Sequence, residues 1–503
     1  MRATRARPAR RPSFQAALVL LAGMLSAAAA TQAPGAVDAA DGAALFRDNC
    51  AACHGAGRQG TGLGPPLSPR DYRYGGTRGD LARIIRNGIP SQGMPAFGDT
   101  LSAAQIEAIA AFLPAREGAV PAEDDSTRAE PPRTFDPVPG VVDTLDYAVR
   151  TERFAEGLQT VWALAFVDAD TILVSERPGR LRVIRHGVLQ PPVAGTPAVY
   201  VHEHRWNQGG LLDIALDPAH ARNGWIYLSY SHRLERPGPD GKPLAMTRVV
   251  RGRLRGNAWV DQQVVFEADP ATYGDPFWHY GGRMAFDREG RLLFSVGDRG
   301  VQELAREPGR PSGKIHRLQP DGTIPADNPY RGRAGALPSV YSLGHRNPQG
   351  LAFEPSSGRL WETEHGPRGG DELNIVERGG DYGWPVVSHG INYDGTVLTP
   401  HTRAEGVRQP AHYWRPSIGV SGLAFYDGRQ FPLWQGKLLV TALSPRELRL
   451  LTLDGERVQH EEVLLRTEGR PYEPVVGPDG AIYIVTDAPG QVLRLTAQEQ
   501  RRR

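Results

Sequence analysis

The sequence predicts an all-β six-bladed propeller preceded by a small all-α domain. Short pairs of apolar strands recur six times between residues 141 and 500. The 503 residues include 59 glycines and 43 prolines, which indicates many turns and favours strands over long helices. Both cysteines stand in one short segment near the N-terminus, ahead of a helical pattern. These three observations divide the chain into two unlike domains.

The composition excludes several classes of protein. The chain has 58 Lys and Arg against 56 Asp and Glu, so its formal net charge is +2. Because a nucleic-acid binder needs a basic surface to neutralise phosphates, we expect no nucleic-acid partner. A composition that is 40% hydrophobic and 23% charged is typical of a soluble globular protein. Two cysteines are too few for a disulfide-rich scaffold.

Residues 1–30 have the pattern of a secretory signal peptide. Five arginines without an acidic residue precede an apolar run over 16–30 that ends in small residues. A retained N-terminal anchor is the alternative. No later stretch approaches the roughly 18 apolar residues of a membrane helix. We therefore expect a periplasmic or secreted protein whose mature chain has no integral membrane segment.

The segment Cys50-Ala-Ala-Cys53-His54 predicts covalent attachment of haem c. In such a motif two thioethers hold the haem, and the adjacent histidine is an axial ligand of the iron. A redox dithiol or half of a zinc site are the alternatives, but no second cysteine pair exists to complete a four-cysteine zinc site. Met94 stands in a Gly/Pro loop before a helix predicted over 101–113, and we expect it to be the second axial ligand.

Residues 36–115 resemble class I cytochrome c, particularly the cytochrome modules fused to quinoprotein dehydrogenases. The following residues, 116–140, are rich in proline and acidic residues and have no apolar periodicity, so they predict a semi-rigid linker.

The propeller prediction for residues 141–500 rests on internal repeats. Equivalent positions that close the first strand of each pair lie 50 to 72 residues apart, and they are Phe166, Leu216, Phe286, Phe353, Phe425 and Val476. Six such units predict a closed ring of sheets, which leaves few exposed strand edges. A two-sheet sandwich is the alternative, but the regular recurrence disfavours it.

Four loops of this domain carry unusual sets of polar residues. They are Asn207-Gln-Gly-Gly-Leu211, His279-Tyr-Gly-Gly-Arg283, Gly344-His-Arg-Asn-Pro-Gln-Gly350 and Glu364-His-Gly-Pro-Arg-Gly-Gly-Asp-Glu372. With these loops, residues 150–497 resemble the soluble quinoprotein glucose dehydrogenase and aldose sugar dehydrogenase family. That resemblance implies pyrroloquinoline quinone (PQQ) and Ca²⁺ as cofactors, and oxidation of the anomeric carbon of aldoses to lactones.

The resemblance also implies roles for individual residues. His279 matches the general base that removes the sugar hydroxyl proton, and Asp298 matches the acid that orients this base. Arg346 and Asn347 match the pair that faces the quinone oxygens, where a permanent cation stabilises developing charge. Three further matches are Gln208 near the substrate and quinone, Trp414 as an aromatic wall over the cofactor, and Arg470 as a quinone-binding cation.

Two calcium sites are implied by the same resemblance. Gly366 and Pro367 match the backbone carbonyls that hold the catalytic Ca²⁺, a hard cation that prefers oxygen ligands. Glu372 and Tyr382 fall where some members bind a second, structural Ca²⁺. For Glu372, an ordinary loop salt bridge is the alternative.

At two positions the sequence departs from the family pattern. Ser444 stands where the family usually has a quinone-binding lysine, and none of the three lysines of the chain lies nearby. Arg446 is the candidate substitute, although its planar fork has a different reach. Tyr472 replaces the second arginine of an Arg-x-Arg pair that begins at Arg470. We therefore expect weakened or lost quinone binding.

Three functions follow from these expectations. The first is a sugar dehydrogenase that passes electrons from the quinone to its own haem and then to a downstream acceptor. The second is a dehydrogenase of the same fold for another alcohol or aldehyde, such as sorbosone. The third is a sugar-binding propeller that lacks quinone and is attached to a cytochrome.

Overall fold

The computed structural model describes residues 39–58, 67, 72, 76–89, 94–98, 100–114, 135–204, 207–393 and 396–500. The predicted signal peptide and residues 116–134 of the predicted linker lie outside these ranges. No helix among the described residues combines the length and the apolar character that a membrane crossing requires.

The N-terminal part is helical, as predicted. Its helices are α1 (Ala39–Asn49), α2 (Ala51–His54), α3 (Arg78–Asn87) and α4 (Ala103–Phe112). The predicted capping box at the start of α4 is present, because Ser102 and Gln105 exchange side-chain to backbone hydrogen bonds. Helix α4 packs against α1 and α3. Together they enclose a separate hydrophobic cluster that includes Phe46, Ile85 and Ile109.

The remaining chain forms six antiparallel sheets, which confirms the predicted propeller. Blade 1 contains β3 (Val161–Phe166), β4 (Thr171–Glu176), β5 (Arg180–Arg185) and β6 (Val188–Leu189). Blade 2 contains β7 (Leu211–Leu216), β8 (Ile226–Arg233), β9 (Ala245–Arg255) and β10 (Ala258–Phe266), with helix α5 (His220–Asn223) between its first two strands. Blade 3 contains β11 (Met284–Phe286), β12 (Leu292–Val296), β13 (Lys314–Leu318) and β14 (Val340–Leu343).

The second half of the ring repeats this plan. Blade 4 contains β15 (Pro348–Phe353), β16 (Leu360–Glu364), β17 (Asp371–Val376) and β18 (His412–Trp414). Blade 5 contains β19 (Val420–Phe425), β20 (Leu438–Ala442), β21 (Glu447–Asp454) and β22 (Arg457–Arg466). Blade 6 contains β23 (Pro471–Val476), β24 (Ile482–Asp487) and β25 (Gly490–Gln500). In every blade the predicted strand pair forms the first two strands.

Blade 6 is completed by the strands that open the domain, β1 (Gly140–Asp143) and β2 (Tyr147–Leu158). Strand β2 pairs antiparallel with β25 along almost its whole length. The innermost strands contact one another in the order β3, β7, β11, β15, β19 and β23, and β23 contacts β3 again. Pairing between the beginning and the end of the domain therefore closes the ring. The sequence repeats did not reveal these two strands.

Aromatic side chains pack the closing strand β2 against blade 5. Trp434, in a short 3₁₀ helix after β19, is fully buried and stacks on Phe431 with 4.4 Å between ring centroids. The ring of Tyr147 in β2 contacts the Trp434 ring edge-on, with 5.2 Å between the ring centroids. The Trp434 indole also donates a 3.1 Å hydrogen bond to Asp146, which directly precedes β2. One side chain thus joins blade 5 to the closing strand.

We expect Trp434→Ala to lower the free energy of unfolding by about 3–5 kcal/mol, the usual cost of removing a large buried aromatic side chain. Leu433→Ala is the matched control, because the neighbouring Leu433 is 39% exposed and should change stability by less than about 1 kcal/mol. Urea unfolding of the two variants and the parent measures both values. Equal destabilisation by the two substitutions would contradict the role of Trp434 at the closure.

Candidate active site

The predicted site residues come from equivalent positions in different blades. Gln208, His279 and Asn347 precede the innermost strands of blades 2, 3 and 4, whereas Asp298 and His365 follow the second strands of blades 3 and 4. In an antiparallel pair, the start of one strand lies beside the end of the next. The closed ring therefore brings these five residues to the same end.

His279 and Asp298 form the central pair of the site. The imidazole Nδ1 lies 2.6 Å from Oδ1 of Asp298. The carboxylate also accepts hydrogen bonds from the Gly300 amide and the Trp384 indole, each at 2.8 Å. Because a carboxylate only accepts, Nδ1 carries the proton and Nε2 keeps its lone pair. The pair is therefore arranged as a base with a fixed tautomer.

The electrostatic surroundings keep this imidazole neutral. Burial and the nearby Arg346 cation lower the pKa of His279 to about 4, although Asp298 opposes them. Burial alone would raise the pKa of Asp298, but His279 and Arg346 hold it below its usual value. At neutral pH the site thus contains a neutral imidazole beside an ionised carboxylate.

Arg346 is a buried cation without a carboxylate partner among the described residues. Its residue surface is 6% exposed, and its Nη1 donates to the carbonyls of His365 at 3.0 Å and Gly366 at 2.7 Å. The guanidinium lies 5.2 Å from the ring centroid of Trp384. Its Nε is buried and has no hydrogen-bond partner. Such a cation is suited to an anionic or oxygen-rich ligand.

Gln208 and Asn347 connect the blades beneath this cation. The Gln208 side-chain oxygen accepts a 2.8 Å hydrogen bond from the His279 backbone amide. The same oxygen lies 3.4 Å from Nδ2 of Asn347. Asn347 is fully buried, and its side-chain oxygen accepts from the Gly281 amide at 3.1 Å. The structure thus brings Gln208, His279 and Asn347 into one hydrogen-bonded network.

The predicted calcium-binding carbonyls lie beside the same network. Gly366 presents its carbonyl to Arg346, and the Pro367 carbonyl accepts from the Ser417 hydroxyl at 3.3 Å. Asp371, which is almost completely buried, fixes this loop by accepting hydrogen bonds from the Gly366, Ile418 and Val420 amides. Both carbonyls therefore belong to a rigid loop at the site.

The backbone of Trp414 pairs with Asp371, but the structure places its side chain in the core. Its indole packs in the hydrophobic cluster of blades 4 and 5 and donates a 2.9 Å hydrogen bond to Glu461. The adjacent Tyr413 is 41% exposed and stacks on His389 at 3.9 Å. Side chains alternate between the two faces of a strand, so an offset of one residue exchanges a buried position for an exposed one. Here Trp414 takes the buried position and Tyr413 the exposed one.

The predicted cationic anchors have partners within the protein. Arg446 donates to the carbonyl of Glu468 and lies 5.4 Å from the ring centroid of Phe135. Arg470 forms an ion pair with Asp487 at 2.6 Å. Among the described contacts, neither guanidinium reaches the network of His279. The structure thus assigns both arginines to contacts that hold the fold together.

A second polar cluster lies inside blade 4. The side chains of Glu362 and Glu364 on β16 meet those of Glu372 and Asn374 on β17, and Nδ2 of Asn374 lies 3.1 to 3.3 Å from an oxygen of each carboxylate. Nδ1 of His345 is 3.4 Å from Glu364. Ligand atoms of His345, Glu362 and Glu364 lie within 4.8 Å of one another, close enough to share a metal ion.

This cluster lacks compensating positive charge. No Lys or Arg pairs with Glu362 or Glu372 in the described part of the chain, so the predicted alternative of a loop salt bridge at Glu372 is not what the structure shows. Burial, followed by repulsion from Glu364, raises the pKa of Glu372 to about 8 and that of Glu362 well above its usual range. Buried atoms of Glu362, Asn374 and His345 have no hydrogen-bond partner.

Tyr382, the other residue predicted for this second site, lies against the edge of the cluster. Its ring stacks on His345 at 4.5 Å, and its hydroxyl donates to the Ile375 carbonyl. Sequence reasoning missed His345, Glu362 and Glu364. The alternation Glu362-Thr-Glu364, in a strand that is otherwise apolar, is the signal that could have revealed two of them.

Sequence reasoning also missed Arg299, which directly follows Asp298. Its guanidinium is buried, lies 3.5 Å from the Tyr280 ring centroid and donates to the carbonyls of Pro276 and Trp278. These two carbonyls belong to the loop that leads into His279. Asp298 therefore holds the side chain of His279, while Arg299 holds the backbone before it.

In the helical part, Cys50 and Met94 pack against the same hydrophobic cluster. Burial raises the pKa of the Cys50 thiol to about 11. Cys53 and His54 stand at the end of α2, and Cys53 is exposed. The predicted haem-binding residues therefore belong to one small folded unit.

Comparison with known proteins supports this division of the chain. Residues 158–494 match the family model described as glucose/sorbosone dehydrogenase. Residues 37–113 match the model described as cytochrome c oxidase, cbb3-type, subunit III. The two matched segments lie within the predicted propeller and cytochrome domains.

Individual relatives agree with the family models. Aldose sugar dehydrogenase YliI of Escherichia coli is 39% identical over 358 residues, which cover 69% of this chain and 93% of that protein. Quinoprotein glucose dehydrogenase B of Acinetobacter calcoaceticus is 32% identical over 202 residues, which cover 36% of this chain and 41% of that protein.

A solved structure shows the same similarity. The apo-form of the soluble aldose sugar dehydrogenase from E. coli superposes with a TM-score of 0.64 at 37% identity, over 70% of this chain and all of that one. With the family model matching more than half of the sequence, the chain belongs to the glucose/sorbosone dehydrogenase family and carries a cytochrome c domain at its N-terminus.

Proposed function

We propose that the protein oxidises aldose sugars to lactones at the site of His279, with PQQ and Ca²⁺ as cofactors. The electrons then pass to haem c in the N-terminal domain and on to a downstream acceptor outside the cytoplasm. One observation carries this proposal: a neutral, carboxylate-held imidazole lies beside a buried arginine that has no carboxylate partner. A base and a receptor for negative charge are what oxidation of a sugar hydroxyl requires.

His279 acts as the base in this proposal. Its Nε2 lone pair takes the proton of the sugar hydroxyl, and Asp298 stabilises the imidazolium that forms. Repulsion from Arg346 contributes to the low pKa of His279. A ligand that neutralises Arg346 weakens this repulsion and makes His279 a stronger base. Binding of an oxygen-rich cofactor thus prepares the base for its role.

The residues of the site fit the quinone. Arg346 Nε and His365 Nε2 are buried polar atoms without hydrogen-bond partners, so they leave donor capacity for an oxygen-rich ligand. Arg346, Asn347 and Gln208 would hold PQQ, which supplies the acceptor for the hydride of the anomeric carbon. The carbonyls of Gly366 and Pro367 would hold Ca²⁺, and their neutral oxygens alone would bind it weakly. Metal and quinone are therefore expected to bind together.

The helical domain fits haem c. Cys50 and Cys53 would form the two thioethers, His54 follows directly, and Met94 packs against the same hydrophobic cluster as Cys50. A histidine and methionine pair raises the potential of the haem iron and suits it to accept electrons. The haem would then serve a soluble cytochrome or a respiratory chain.

The cluster of blade 4 fits a second divalent cation. The carboxylates of buried Glu362 and Glu364 and of partly buried Glu372 have no Lys or Arg partner among the described residues and repel one another, so each either keeps a proton or shares a metal ion. His345, Glu362, Glu364 and Glu372 would provide the ligands. This ion would stabilise blade 4, in which the first strand follows Asn347 and the second precedes His365.

The family name also includes sorbosone, so a dehydrogenase for another alcohol or aldehyde is the second candidate. Arg446 and Arg470 are bound to partners within the protein. This favours a third candidate function, a propeller that does not bind quinone. Activity of the reconstituted protein across a panel of sugars and alcohols distinguishes these three.

Asp298→Asn should lower the rate of dye reduction by an aldose about 10²–10⁴-fold, because His279 loses its tautomer and its counter-charge. The assay uses the full chain loaded with PQQ and Ca²⁺. Asp287→Asn is the matched control, since Asp287 lies at the opposite end of blade 3 and pairs with Arg291. Absence of parent activity with every sugar at saturating cofactor would refute the proposed function.

The depressed pKa of His279 gives a pH-dependent stability. Between about pH 6.5 and pH 4 the unfolded chain binds a proton at His279 that the folded protein excludes, so stability is lost as the pH falls. His279→Gln removes this loss. The melting temperature of the cofactor-free parent minus that of the cofactor-free variant should therefore decrease as the pH falls from about 7 to about 4.5. A constant difference between them would contradict a neutral His279.

Added Ca²⁺ should raise the melting temperature of the parent and should raise it less in Glu362→Gln. The cation-free variant should itself be more stable than the cation-free parent, because glutamine removes the free-energy cost of protonating or burying the Glu362 carboxylate on folding. Glu354→Gln, a substitution in the same blade at a residue paired with Arg359, serves as the control. The same Ca²⁺ response in the parent and in Glu362→Gln would refute this cation site.

A further inference from the structure

We infer that Arg177 binds a carboxylate of the quinone cofactor and takes the place of a cation that the family has near Tyr472. This inference rests on the proposed function. It deepens that proposal by naming a cofactor-binding residue outside the set that the family resemblance implies.

Arg177 lies at the end of the ring where the site is built. It directly follows β4, the second strand of blade 1, as His365 follows the second strand of blade 4. The first strand of the blade starts beside it, because Val161 of β3 pairs with Glu176 of β4. The position of Arg177 is therefore equivalent by topology to positions that already contribute to the site.

The side chain of Arg177 also lies against a loop of the site. A Cβ atom on Gly210 would stand 2.9 Å from Cγ of Arg177, so only glycine allows this approach. The carbonyl of Arg177 accepts a 3.0 Å hydrogen bond from the Leu211 amide. Gly210 and Leu211 continue the loop of Gln208. The stem of Arg177 thus packs beside the residues that hold Gln208 next to His279.

The guanidinium of Arg177 has no partner in the described part of the protein. Its Nε is buried without a hydrogen bond, and none of the ion pairs found among the described residues includes Arg177. The neighbouring Arg180 and Arg182, in contrast, both pair with Glu176. Arg177 as a whole is partly buried, but a buried donor without a partner costs free energy, which a ligand that accepts a hydrogen bond from it would recover.

Arg177 could replace the positive charge that the family has at the position of Tyr472 and that this sequence lacks. Tyr472 packs in the same hydrophobic cluster as Leu211, so it belongs to the junction of blades 6, 1 and 2. The backbone of Arg177 lies at this junction, because its amide donates to the Thr160 carbonyl of blade 1 and its carbonyl accepts from the Leu211 amide of blade 2, each at 3.0 Å. Because PQQ is a tricarboxylate, a cation from blade 1 can replace one that blade 6 no longer provides.

The test is a titration of the full-length, quinone-free protein with PQQ at saturating Ca²⁺, followed by quenching of tryptophan fluorescence. Arg177→Gln should raise the Kd for PQQ about tenfold, the usual effect of losing one charge-assisted hydrogen bond. Arg177→Lys, which keeps the charge, should lose less affinity. Arg180→Gln is the control, because the guanidinium of Arg180 pairs with Glu176, and this substitution should change the Kd less than twofold.

Unchanged affinity in Arg177→Gln, or a loss in Arg180→Gln as large as that in Arg177→Gln, would overturn the assignment while leaving the proposed function intact. Failure of the parent protein to bind PQQ would overturn both. Melting temperatures of all variants exclude misfolding as the cause of a weaker affinity, and Arg177→Lys keeps the test decisive if Arg177→Gln fails to fold.

Discussion

Closure of the ring by β2 and β25 is the constraint on which the rest of the propeller depends. No single blade contains the candidate site, since Gln208, His279, Asn347 and their partners come from three different sheets. Their mutual distances are fixed only while every blade is held between two neighbours. Pairing between the first and last strands of the domain therefore determines the geometry of a site that lies in the middle of the sequence.

Electrostatics sets the character of that site. Arg346 and Arg177 are cations without carboxylate partners among the described residues, whereas Glu362, Glu364 and Glu372 are buried or partly buried acids without Lys or Arg partners there. A folded protein tolerates such charges where a ligand completes them. The unpaired cations at the site and the unpaired acids within blade 4 thus indicate two different ligands, one oxygen-rich or anionic and one a divalent cation.

The sequence was sufficient to predict the six repeats, the helical domain and the loops that carry His279, Asp298 and Arg346. Repeats are visible because each blade must bury its strands in the same way. The closing strands were missed because β1 and β2 form no repeat of their own. Trp414 was misplaced because a shift of one residue reverses the face of a strand. Arg299 and Glu362 act through contacts that form only when neighbouring strands of a blade pair, and the sequence pattern does not show these contacts.

The central claim is that one chain couples sugar oxidation to its own haem. Its most direct test is to mix the oxidised full-length protein, loaded with PQQ and Ca²⁺, with an aldose under anaerobic conditions and to follow the α-band of reduced haem. The account predicts haem reduction at a rate that does not depend on protein concentration, since the transfer occurs within one chain. Haem that stays oxidised while the sugar is consumed would contradict it.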